Sequence, residues 1–331
     1  MKKGIVSAFL LLILVFTGCE TSPPINVQDD VFGGVAVTGS PVGAAIFLDG
    51  NNTGKVIPDT LQVKAGVHQI GAQMDGFLSE TKNITVPGNS ITNVVFDLAP
   101  VTEQKVVVLE DFANVSCVPC VTSNLVINAL QKGTYKNSPV LFIKYHVNYP
   151  SPQDPFYQAN RSQLTARAQL YNVLSTPTTF IDGRFKPLSA DSNQIKQYIE
   201  QQLRQPARFR MTATDSIASG EIHAKIGIEV LSIPEAGQND IVLHVFVVQE
   251  EVSFTTPPGS NGETVFHDVV RGFFTGAAGF VPAFNGDNGQ KLNYSFSLST
   301  GTGWDLSKIK VVAFLQNKNS KEIYQSAFSI K

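Results

Sequence analysis

Cys117 and Cys120, in Ser116-Cys117-Val118-Pro119-Cys120, are the side chains whose type and spacing best suit covalent chemistry. They follow the apolar run Val106-Val107-Val108-Leu109 and precede an amphipathic stretch that begins near Thr122. That order puts both thiols at the start of a helix, where unpaired N–H groups and the positive dipole end favour a thiolate. The chemistry to expect is thiol–disulfide exchange. Cys117, nearer the helix N-terminus and expected to be the more exposed, attacks as a thiolate, and Cys120 resolves the mixed disulfide. Pro119 removes one backbone donor beside the resolving sulfur and stiffens the turn.

Two plainer readings of the pair compete. A purely structural disulfide closing so short a loop removes little unfolded-state entropy, about 2 kcal/mol against about 4.7 for a hundred-residue loop. A zinc site needs two further ligands. The histidines, at 68, 146, 223, 244 and 267, are scattered without ligand spacing, and the third cysteine, Cys19, lies far upstream. No metal and no cofactor is expected.

The elements that must position the cysteines alternate in type between Lys105 and about Arg204. Lys105 to Phe112 reads as a buried strand, Val121 to about Lys132 as a helix, and Pro139 to Val147 as a strand with a Val-Leu-Phe-Ile core. Phe156 to Tyr171 reads as one helix, with Ala159, Leu164, Ala168 and Tyr171 on a face. Thr178 to Asp182 is a third strand, with Asp182-Gly183 a hairpin signal into Phe185. Asp191 to Leu203 closes the unit as a helix, with Ile195, Ile199 and Leu203 four apart. Asp111, if buried, is placed to accept the proton of Cys120. Glu110 is its neighbour on the opposite face. His146 ends its strand on the side of the cysteine loop and is more readily a packing histidine than a catalytic one.

The 331 residues are 43% hydrophobic and 16% charged, enough for two or three globular domains. A formal net charge of −2 gives no basic surface for nucleic acid. Lys2 and Lys3 precede the apolar run Ile5 to Phe16, which is too short for a confident membrane span. The run ends in Val15-Phe16-Thr17-Gly18-Cys19 and resembles a bacterial lipoprotein box, with Phe16 where leucine is usual. The resemblance implies a signal peptide over 1–18, lipidation of Cys19, and partnership with the membrane through that lipid. Several acyl chains, at about 0.8 kcal/mol per buried methylene, make the anchor essentially permanent. The expected location is the cell envelope, at the outer membrane. Residues 19–33, with Pro23-Pro24, read as a tether.

Residues 34–99 carry short strand-like runs between turn signals. Pro41-Val42-Gly43-Ala44, Ile46-Phe47-Leu48-Asp49-Gly50, Thr53-Gly54, Pro58, Leu61, Gly66, His68 and Gly76-Phe77 together resemble the PEGA domain, a small β-sandwich. Val42 stands where the family name has Glu. The resemblance implies a spacer or surface-binding module without catalysis. Asp49 and His68 read as turn and edge residues.

The order strand, cysteine pair, strand, helix, then Ser175-Thr176-Pro177-Thr178-Thr179-Phe180 resembles the thioredoxin fold. That resemblance implies that Pro177 is the cis-proline facing the cysteines, and that Asp111-Phe112 matches the buried Asp-Phe of the family. The tryptophan usual before the first cysteine is Ser116 here, and Val121 follows the second. Residues 206–331 return to strands, best in Ile241 to Val248 and Ile309 to Leu315, and read as an immunoglobulin-like β-sandwich. Val311 to Asn317, Lys321 to Ala327, His267-Asp268-Val269-Val270-Arg271, His146, Asp154-Pro155-Phe156-Tyr157 and Pro177 to Gly183 are similar to the Omp28-related outer-membrane lipoproteins. His267 and Arg271 read as structural.

The expected architecture is therefore multidomain: an all-β PEGA-like domain, an α/β thioredoxin-like domain over 105–204, and a β-sandwich over 206–331. Two functions follow from it. One is thiol–disulfide exchange on envelope thiol proteins. The other is a non-catalytic surface lipoprotein that uses the thioredoxin-like fold as a scaffold for protein or glycan ligands.

Overall fold

Alternating apolar residues between glycine and proline turns build the first unit. A computed structural model describes residues 31–74, 76–232, 234 and 238–330. The expected signal peptide, Cys19 and most of the tether lie outside these. Strands β1 (Phe32–Ser40), β4 (Asp59–Lys64) and β7 (Ile91–Asp97) form one sheet, in the order β4-β1-β7. Strands β2 (Ala45–Leu48), β3 (Asn51–Val56), β5 (Gly66–Gln73) and β6 (Glu80–Val86) form a second, in the order β3-β2-β5-β6. Val35, Val37, Ile46, Ile70 and Phe96 are fully buried between them. The sandwich matches the expected all-β domain, with β1 beginning at Phe32 rather than 34.

The rest of the chain is organised by one seven-stranded mixed sheet. Its strands are β8 (Val107–Ala113), β9 (Val140–His146), β10 (Thr178–Ile181), β13 (Ile241–Ser253), β14 (Val265–Phe273), β16 (Ile309–Asn317) and β17 (Ile323–Phe328), in the order β10-β8-β9-β14-β13-β16-β17. β8 and β9 run parallel, and β14 continues the sheet parallel to β9 with Val269 opposite Lys144. The units expected over 105–204 and 206–331 therefore share a sheet. The outer edge of β9 is apolar and open to pairing, and β14 fills it. Of the described residues, 46% are in strands and 17% in helices.

Both faces of this sheet are covered. α1 (Val118–Ala129) and α4 (Ser192–Leu203) bury Ile127, Ile195 and Ile199 against Leu109, Phe142 and Ile181. α2 (Pro155–Ala159) and α3 (Arg161–Leu170) cover the opposite face, where Leu164 packs among Phe112, Tyr145, Phe246 and Phe314. The single helix expected over 156–171 is broken at Asn160 (φ −139°, ψ 40°), whose side chain donates to the Arg271 carbonyl at 2.8 Å. Beside α1 and α4, a three-stranded sheet of β11 (Phe209–Ala218), β12 (Glu221–Val230) and β15 (Lys291–Ser299) packs on Leu243, Val245, Val311 and Ala313. The expected sandwich exists as this local pair of layers, with its second layer borrowed from the shared sheet.

Candidate functional site

β8 delivers the chain to the cysteines. Its seven residues are all buried, and its last, Ala113, packs directly on Cys117 and Cys120. Cys117 is the N-cap of α1, and its Sγ accepts the Cys120 N–H at 3.2 Å. Val118 and Pro119 open the helix, and proline there loses only a donor that has no helical partner. Cys117 and Cys120 are joined as a disulfide. The register of β10 on β8 pairs Thr178 with Phe112, so Pro177 lies at the level of Ala113, and its peptide bond with Thr176 is cis. His146 pairs with Ala113 from the other side. Pro177, Ala113 and His146 thus share one register row across β10, β8 and β9, and Ala113 packs on the cysteines.

The expectation of an exposed Cys117 is not met: it is 2% exposed, and Cys120 is 0% exposed. The loop 254–264 between β13 and β14, some 140 residues downstream, packs on the two residues before Cys117. The Ser260 N–H donates to Ser116 Oγ at 3.3 Å, and the Asn261 N–H donates to the Val115 carbonyl at 3.2 Å. Gly259 lies so close that a Cβ there would stand 2.3 Å from the Val115 oxygen. Glu263 accepts both from Asn124 Nδ2 on α1, at 2.9 and 3.0 Å, and from Asn261 Nδ2 at 2.6 Å.

Asp111 is buried below the disulfide, and both carboxylate oxygens are engaged. Oδ2 pairs with Lys144 Nζ at 2.5 Å, and Oδ1 accepts from Thr179 Oγ1 at 3.0 Å. Lys144 also donates to Asn124 Oδ1, which ties the pair to α1. The role of free proton acceptor expected for Asp111 is therefore occupied by a lysine. That lysine interrupts the apolar run of β9, the one sign of it visible in the sequence. Asp154 plays a larger part than its motif suggested. It caps α2 through the Phe156 and Tyr157 N–H groups, accepts the Val115 N–H at 2.8 Å, and holds His146 Nδ1 at 2.6 Å. Burial pushes the Asp154 carboxyl up, but His146 and the donated N–H groups outweigh it and hold the carboxyl below its ordinary range. His146 packs 4.4 Å from the Phe156 ring centre, and its Nε2 is buried with no hydrogen-bond partner.

On the opposite face, Glu110 is bound to Arg167 Nε and Nη2 at 3.0 and 2.5 Å and accepts from Tyr171. Arg167 also donates to Gln316 of β16 at 2.9 Å and lies over the rings of Tyr145, Tyr171, Phe246 and Phe314. Burial pushes His244 well below its ordinary value, and the neighbouring Arg167 charge adds to the effect, so this histidine is neutral. In the first unit Asp49 and His68 are bonded to each other at 2.8 Å at a turn and strand edge. Among the described residues no group of three or more His, Cys, Asp or Glu could hold a metal ion.

Residues 32–102 match the PEGA domain family, so a PEGA domain opens the described part of the chain. No curated protein matches the chain. Among solved structures, HBP35 of Porphyromonas gingivalis aligns over 69% of this chain and 76% of its own, with 14% identity and a TM-score of 0.57. At that identity the likeness is one of fold. A protein from Agrobacterium tumefaciens covers 69% of this chain and 96% of its own, at 17% identity and a TM-score of 0.44. A domain of the outer membrane lipoprotein Omp28 from Porphyromonas gingivalis covers 37% of this chain and 87% of its own, at 16% identity and a TM-score of 0.26.

Proposed function

We propose that this chain is a lipid-anchored envelope protein, akin to the Omp28-related lipoproteins, with a thioredoxin-like site for thiol–disulfide exchange. The observation that carries the reading is the disulfide closed across the first turn of α1, with the buried Asp111 carboxylate beneath it. In the exchange, a partner thiolate attacks Cys117 Sγ. A partner–Cys117 disulfide forms, the Cys117–Cys120 bond breaks, and Cys120 leaves as a thiolate. A second partner thiolate then attacks the partner sulfur of the mixed disulfide. The partner is oxidised to a disulfide and the pair is left reduced, and the reverse sequence reduces a partner. Loop 254–264 has to leave Ser116 and Val115 for the first attack. The same cover favours a second reading, in which the pair is an inert staple in a surface scaffold.

Redox titration of the purified full chain in glutathione buffers separates the two. Exchange requires a potential above about −300 mV and a Cys120→Ser variant that accumulates mixed disulfides. A lower potential, with no trapped partner, establishes the inert staple. The combined change Ser116→Ala and Glu263→Ala removes the side-chain acceptors that the Ser260 N–H and Asn124 Nδ2 use, and accelerates reduction if the loop is the gate. The anchor stands on the Cys19 box alone. A mature N-terminus whose mass carries no acyl chain on Cys19 sinks it.

A further inference from the structure

The PEGA domain carries a cleft of about 430 Å³ on the outer face of its four-stranded sheet. Ile46, Ile70 and Ala72 point into the sandwich and are fully buried, so strand alternation sends Phe47, Gln69, Gly71 and Gln73 outward. Phe47, Gly71 and Thr81 stand opposite one another across β2, β5 and β6. A Cβ on Gly71 would lie 3.3 Å from both Phe47 Cβ and Thr81 Cγ2, so glycine keeps a trough open between the Phe47 side chain and the Thr81 methyl. Gln69 and Gln73 flank it, about 13 Å apart along the strand. The far wall comes from the C-terminal part of the chain, through Gln238, Asn285 and Asp287.

The lining selects a ligand chemistry. Its described residues offer amides, a hydroxyl and an aromatic ring, and no lysine, arginine or histidine. The one carboxylate among the described lining residues, Asp287, accepts from Asn285 Nδ2 at 2.8 Å. A phosphate, carboxylate or sulfate would enter without a counter-charge, and a cation would meet a single engaged carboxylate. The side chains of Gln69, Gln73 and Thr81 make no hydrogen bond to a described residue, and Gln238 Oε1 is buried without a partner among the described residues. Each amide offers donors and an acceptor together, as a sugar hydroxyl does. The Phe47 ring offers an apolar face to the C–H side of a pyranose. An extended peptide would instead seek the unpaired backbone of a sheet edge, and this cleft lies on the sheet face.

We infer that this cleft binds a neutral saccharide, a short run of uncharged hexose units. The site is independent of the cysteines, and its success or failure leaves the thiol reading untouched. The test uses the full chain against a panel of neutral gluco-, manno- and galacto-oligosaccharides, with their uronic acid and sulfated counterparts and an uncharged peptide set as comparisons. A neutral oligosaccharide binds, with affinity indifferent to salt because no ion pair contributes. The double change Gln69→Ala and Gln73→Ala weakens that binding at least about tenfold, as loss of central contacts does. Phe47→Ala does the same. The glutamine changes break no side-chain bond to a described residue, so the thermal midpoint stays in place. Absence of binding to every neutral sugar overturns the assignment. So does affinity unchanged in the glutamine variant, or a preference for charged saccharides or for peptides.

Discussion

Glu110 and Asp111 are neighbours in one strand, both buried and both paired with a cation, and the sheet sends them to opposite faces. The Glu110 side is saturated. Arg167 joins β8, α3 and β16 through Glu110, Tyr171 and Gln316, and four aromatic rings surround the guanidinium. The Asp111 side is smaller; it shares the strand face of Ala113, which packs on the cysteines, and is tied to α1 by the Lys144 contact with Asn124. One charge pair locks the halves of a shared sheet together. The other joins the sheet to α1, the helix whose first turn carries the cysteines. Similar burial and chemistry therefore tie together different parts of the molecule, and the face of β8 that each carboxylate takes separates them.

Removing Arg167 is the severest way to break that comparison. Arg167→Ala leaves Glu110 buried without a counter-charge, which costs about 3–5 kcal/mol in comparable buried pairs. Denaturant unfolding reads this directly, and the redox equilibrium of any folded fraction stays at the wild-type value. A wild-type midpoint would show that Gln316 and Tyr171 suffice without the charge.

Lys144→Met has a smaller effect on stability and a larger one on the cysteines. Asp111 keeps the Thr179 hydroxyl and loses a single ammonium contact where Glu110 loses two guanidinium contacts, so the loss is at the lower end, about 3 kcal/mol. With the lysine gone, the carboxylate charge bears on the sulfurs uncompensated and disfavours the Cys120 thiolate. The expected result is a shift of about tenfold in the exchange equilibrium with glutathione, or about 30 mV. An unmoved potential would make the two ion pairs equivalent structural devices and favour the inert reading of the disulfide.

The two ion pairs also mark how far the sequence could be read. Cysteine spacing, an apolar strand before it and proline at its start make a helix N-terminus legible, because those signals are local. The turn glycines and Pro41 of the first domain are local in the same way. Arg167 was illegible. On a helix with Ala159, Leu164, Ala168 and Tyr171 as its apolar face, an arginine reads as solvated, and only Gln316, far along the chain, completes its site. The cover over Cys117 failed for the same reason, since Ser260 and Asn261 meet Ser116 and Val115 only after β14 joins β9. A boundary near residue 205 looked natural because the helices stop there. Sheet edges, which decide whether a boundary separates cores, leave no composition signal.

The smallest effect separates the loop from the ion pairs by pH. Asp154 holds Val115 and His146 and caps α2, so Asp154→Asn costs about 1–2 kcal/mol at neutral pH. Its folded carboxyl sits below the ordinary value of 3.8, so the folded state binds fewer protons there than the unfolded chain. The stability it contributes is complete above that ordinary value and is lost as pH falls through the lower folded one. Unfolding curves of Asp154→Asn and wild type should therefore diverge near neutrality and converge in acid. A difference that stays constant down to the lowest pH would mean that Asp154 acts as a shape-filling cap, with its charge contributing nothing to the turn that carries the cysteines.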